Sequence, residues 1–112
     1  MERFGFGPTE AFTPGDERLE NVTLSPLTAS GPAQAAIFRL GAGGRIARHP
    51  ATVPQVLAVL EGSGLVSGGD AEFRPIGAGE AVFWAAGEEH ETVSDHGLTA
   101  VIVEATGLRP PG

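Results

Sequence analysis

The chain contains no cysteine and no lysine. Without cysteine there is no disulfide, no thiolate nucleophile and no zinc-thiolate site. Without lysine there is neither a Schiff-base amine nor the lysine of a phosphate-binding P-loop. Charge is also scarce, at 19% of 112 residues, and the seven basic residues, all arginine, are scattered from Arg3 to Arg109. Fourteen acids outweigh them, for a formal net charge of −7. A nucleic-acid binder needs a basic face to neutralise phosphates, and anionic membrane surfaces attract basic segments; neither is present. No apolar run reaches the length of a membrane span, and the N-terminus lacks the basic-then-apolar pattern of a secretory signal. The expected setting is the cytoplasm, with neither nucleic acid nor membrane as partner.

What is present is a modest apolar content of 41% and an abundance of chain punctuation, 17 glycines and 9 prolines. A chain of this length fits one domain. The glycines and prolines separate short β-branched and aliphatic runs, which predicts many turns and many short strands. The runs are Asn21–Leu27, Gln34–Leu40, Gln55–Leu60, Gly64–Ser67, Ala71–Pro75, Ala81–Trp84, His90–Ser94 and Leu98–Glu104. Among the turn signals between them are Gly41 to Gly44, Glu61-Gly62-Ser63-Gly64 and Asp95-His96-Gly97. No segment carries a helical stripe. The expectation is an all-β barrel or sandwich over 21–106, preceded by an arm (1–20) and followed by a short tail (107–112). Phe4, Phe6 and Phe12 read as aromatic anchors that dock the arm on the barrel or on a partner subunit.

The run from Gln55 to Leu60 is apolar on both faces: Leu57 and Val59 on one, Val56, Ala58 and Leu60 on the other. A half-exposed strand alternates polar with apolar. The outer face should therefore be covered, by a second copy in a homodimer or by the arm.

Of the three histidines, His49 precedes this strand and His90 opens a later one, while His96 lies in a turn. Gly43 is followed by five residues, His49-Pro50-Ala51, three residues, Gln55, six residues and Gly62. Gly79 is followed by five residues, Ala85-Ala86-Gly87, two residues, His90, three residues and Ser94. These spacings resemble the paired motifs of the cupin superfamily, Gly-x5-His-x-His-x3,4-Glu-x6-Gly and Gly-x5-Pro-x-Gly-x2-His-x3-Asn, over residues 35–105. The resemblance implies a cupin-type β-barrel, a double-stranded jelly roll of two antiparallel sheets. In that family the two histidines and the acid of the first motif converge with the histidine of the second on a divalent metal.

Carried over position by position, His49 and His90 match, Gln55 stands at the acid and Ala51 at the second histidine. The metal-ligand set the resemblance implies is thus His49, Gln55 and His90, with a neutral amide oxygen in place of a carboxylate. The strand period of two places Leu57 and Val59 on the face of Gln55, and Thr92 and Ser94 on that of His90. Leu57, Val59, Thr92 and Trp84 are accordingly the candidate ligand-binding wall. Glu88 and Glu89 flank His90, whereas Glu91 has the opposite parity. Three functions fit: a metal-assisted enzyme acting on a small organic molecule, a metal-free ligand-binding barrel, and a dimeric scaffold.

Overall fold

The computed structural model describes residues 1–112. One 3-10 turn, Pro8–Glu10, precedes seven strands: β1 (Leu19–Pro26), β2 (Ala33–Pro50), β3 (Gln55–Ser67), β4 (Arg74–Gly77), β5 (Ala81–Trp84), β6 (Glu89–Ser94) and β7 (Leu98–Ala105). Every pairing is antiparallel. No helix is long and apolar enough to cross a membrane.

Two long strands give the sheet its shape. Residues 33–40 of β2 pair with β7, and residues 44–50 pair with β6. Similarly, β3 pairs with β7 and β5 through its first half and with β4 and β6 through its second. One layer therefore contains β7, β5 and the first halves of β2 and β3. The facing layer contains β6, β4 and the second halves. The seven strands form one continuous sheet folded into the two antiparallel layers of a jelly roll.

The bends fall at the glycine clusters, which corrects two expectations. Gly41 to Gly44 and Glu61 to Gly64 are not turns between strands but corners inside β2 and β3. At the second corner Gly62 has φ +80°, and a Cβ there would overlap the Gly97 carbonyl oxygen. Only glycine lets the two backbones pass so closely. At the first corner, Asn21 bulges out of β1 with φ 52° and donates its amide to the Ala42 carbonyl at 3.0 Å. Asparagine tolerates this left-handed conformation better than most residues.

The strand expected at Ala71–Pro75 begins only at Arg74. The Asp70 carboxylate accepts the Glu72 N–H at 3.0 Å and an Arg74 guanidinium N–H at 2.9 Å. This side-chain closure turns the chain where a ladder would otherwise form.

The core occupies the end of the barrel away from the pocket, where Val22, Leu40, Val59, Val66, Ile76, Leu98 and Ala100 interdigitate. Leu57, Trp84, Ile46 and Ile102 belong to the same cluster but also form the pocket floor. Phe4, Phe6 and Phe12 remain 67%, 50% and 49% exposed, so their rings are not buried against the chain's own barrel. The arm's backbone does the docking. Arg39 donates to the Phe6 carbonyl at 2.7 Å, Ser25 donates to the Gly7 carbonyl at 3.2 Å, and Phe12 bridges Leu24. This places the arm over the outer side of β1 and β2, against buried Ser25.

Candidate ligand pocket

The open end of the barrel encloses a cavity of about 360 Å³. Its two principal walls come from the two layers, and strand register sets their composition. On one layer Gln34 of β2, Glu104 of β7, Gln55 of β3 and Trp84 of β5 are successive cross-strand neighbours. Because directly paired residues point to the same side of a sheet, all four side chains line the cavity as a single row. One rung deeper, Ala36, Ile102, Leu57 and Val82 form the next inward row, and the first three of them also line the cavity.

On the facing layer His49 of β2 pairs directly with His90 of β6, and Ile46 pairs with Thr92. Residues 46 and 49 differ in parity, yet all four line the cavity. A β-bulge between Ile46 and His49 supplies the phase change, sending Arg48 outward to the Gly68 carbonyl at 2.9 Å. The two imidazole rings lie 4.4 Å apart, centroid to centroid, at an interplanar angle of 53°. Trp84 stacks on His90, also at 4.4 Å.

Both rings are fixed in the same way. His49 Nδ1 lies 2.8 Å from the Ala47 carbonyl oxygen, and His90 Nδ1 lies 3.1 Å from that of Glu88. A carbonyl oxygen can only accept, so each Nδ1 carries a proton and, in the uncharged ring, each Nε2 carries a lone pair. Neither Nε2 hydrogen-bonds within the chain. Burial pushes the His90 pKa below the usual imidazole range, and the neighbouring His49 adds to this. His90 is therefore an acceptor at neutral pH.

The pocket mouth holds one ion pair. Arg18 donates to both oxygens of Asp16, at 3.0 and 2.7 Å, which with the Arg18 backbone N–H holds that carboxyl down to about 2. On the opposite rim the Gln55 amide donates to a Glu104 carboxylate oxygen at 3.2 Å.

Of the candidate residues, His49, Gln55, Leu57, Trp84, His90 and Thr92 all line the one cavity. Val59 does not; it is 2% exposed and lies deeper, packed in the core below Leu57. Ala51 is buried and presents only a methyl group. Glu88 is occupied by the Gly69 and Ala85 N–H groups, and Glu91 faces out to Arg45 at 2.8 Å. His96 is exposed in its turn. Sequence reasoning missed Glu104, Gln34 and the Asp16–Arg18 pair. Glu104 left a readable signal, because it continues the inward alternation Leu98, Ala100, Ile102.

Two imidazoles and a neutral amide oxygen are too small a donor set to hold a divalent ion tightly, and no cluster of three His, Cys, Asp or Glu side chains adds to it. What the arrangement can do is accept hydrogen bonds, or a proton, from a molecule enclosed between apolar walls.

No protein-family profile matches the chain, nor does any curated protein. Solved structures do match. The polyketide cyclase RemF from Streptomyces resistomycificus aligns at a TM-score of 0.83 and 23% identity, over 99% of this chain and 82% of that one. An acetylacetone dioxygenase from Acinetobacter johnsonii aligns at 0.79 and 20%, over 94% and 74%. The cupin-2 domain protein Rru_A2000 from Rhodospirillum rubrum aligns at 0.75 and 15%, over 100% and 80%. At such identities the likeness speaks to the fold, and together with the matching strand arrangement it establishes that this chain has the cupin fold.

Proposed function

We propose that the chain binds a small organic molecule at the open end of its barrel, through the Nε2 atoms of His49 and His90. The observation that carries this reading is the pair of Nδ1 bonds to backbone carbonyls, which turns both free lone pairs toward one cavity. Leu57, Ile102, Ile46 and Phe38 supply the apolar enclosure that most small-molecule sites share. The solved structures with this fold include a polyketide cyclase and an acetylacetone dioxygenase, and by that likeness the ligand is an oxygen-bearing organic molecule. An enol or phenol O–H suits the imidazole acceptors, and the same Nε2 atoms could take its proton.

Imidazole proton resonances test this during titration with uncharged ring compounds. Binding should move the His49 and His90 signals and leave exposed His96 as an unmoved reference. Binding that shifts only His96, or no histidine, would overturn the reading.

A second reading has one specific observation behind it, the close approach of the two imidazoles. A divalent ion would sit between His49, His90 and the Gln55 amide oxygen, weakly held and exchangeable. Elemental analysis of untagged protein before and after chelation separates the two readings.

A further inference from the structure

We propose that Glu104 makes the pocket selective for uncharged ligands carrying O–H or N–H donors and closes it to carboxylates and other anions. This rests on the pocket reading above and adds the class of ligand. The starting point is an imbalance in the lining. Its charged side chains are Asp16, Arg18 and Glu104, two acids and one base. The base is paired, because Arg18 donates through both Nε and Nη2 to Asp16, and the pair is neutral. No other cation lines the cavity to receive an anion.

Acceptor sites are plentiful on the sheet walls. A carboxylate offers about four lone-pair sites, and among side chains only Gln55 uses one on Glu104. The two Nε2 lone pairs and the Gln55 amide oxygen add three more acceptors. The donors are the Thr28 and Thr92 hydroxyls, the Trp84 indole N–H, the amides of Gln34 and Gln55, and the Arg18 N–H groups left over at its neutral pair, none of them an unpaired positive charge. An entering anion would lose its water, find no unpaired cation and face the Glu104 carboxylate. A neutral donor-bearing molecule loses less hydration and satisfies groups that already face inward.

Resorcinol and benzoate make the test, being single rings that differ in charge and donor number. Both are titrated into the full chain after dialysis against EDTA, so that no cation can recruit the carboxylate. Resorcinol should bind at least about tenfold tighter than benzoate, and Glu104→Gln should shrink that ratio to near unity. Gln34→Glu, which adds a second carboxylate one strand away at an exposed position, should widen it and serves if Glu104→Gln fails to fold. Equal affinities in the native chain, or a ratio that neither variant changes, would overturn the proposal. If neither compound moves the His49 and His90 resonances, the pocket reading itself fails and Glu104 selectivity falls with it.

Discussion

Gln55 and Glu104 face each other on adjacent strands and share an amide-to-carboxylate hydrogen bond of 3.2 Å. The uncharged residue at the acidic position of the first motif thus has an acid one strand away. Exchanging them as Gln55→Glu with Glu104→Gln keeps the hydrogen bond and moves the charge to position 55. A charged oxygen donor there should raise affinity for a divalent ion roughly tenfold. The native chain should release such an ion to a chelator, and elemental analysis after dialysis distinguishes the two proteins.

His90 makes stability depend on pH in a defined direction. Its folded-state pKa lies below the unfolded value, chiefly through burial. The unfolded chain therefore takes up a proton first as pH falls. Stability from this residue is complete above the ordinary imidazole value near ~6.5 and is lost as pH falls through the lower folded value. Urea midpoints should decline over that window in the native chain, and His90→Gln should flatten the decline.

Asn21 offers a backbone test. It combines a left-handed φ of 52° with an amide hydrogen bond to the corner of β2. Alanine loses the bond and fits the conformation poorly, so Asn21→Ala should cost about 1–2 kcal/mol. Asn21→Gly loses the bond but relieves the strain and should cost less. Equal losses in denaturant melts would show that the conformation contributes nothing.

Association follows from the outer face of the first layer. Val56, Ala58, Leu60, Phe83, Val101 and Val103 point outward by register, and Leu60 is 52% exposed. The arm lies over β1 and β2 against Ser25, Arg39 and Leu24, and its backbone bonds stop short of this patch. A second copy is the expected cover, each buried Val or Leu side chain contributing roughly 1.5–3 kcal/mol. Sedimentation should show a dimer at micromolar concentration and a folded monomer for Val56→Glu with Leu60→Glu. A native monomer would end the dimer reading.

Much of this was legible in the sequence because two physical periods survive in it. Alternation placed Gln55 with Leu57 and His90 with Thr92, and the motif spacings brought both strands to one end of a barrel. The rest depended on long-range pairing. A glycine cluster looks the same locally whether the chain reverses or bends, and only the change of partner from β7 to β6 shows that Gly41 to Gly44 is a corner. The bulge before His49 breaks the period of two, so counting alone would have put Ile46 and His49 on opposite faces. Glu104 was readable by alternation, but it lies on β7, beyond the second motif, which ends at Ser94. Ser94 itself turned out structural, donating to the Ser63 carbonyl at 2.7 Å and accepting from the Gly97 N–H.

The two bent strands also settle how the pocket can deform. Since β2 and β3 each run through both layers without interruption, the layers share backbone at two corners and cannot swing apart like a clamshell. The compliance must lie elsewhere, and the wall from Pro14 to Arg18 is the lining stretch that precedes the first strand. It is tied down by few bonds, among them Ala47 N–H to the Arg18 carbonyl at 2.7 Å and Leu19 N–H to that of Asp16 at 3.0 Å. A ligand of the kind proposed would then enter and leave by displacement of this short strap, not by parting of the layers. The sheet would set the size limit on such a ligand, and the strap its rate of exchange.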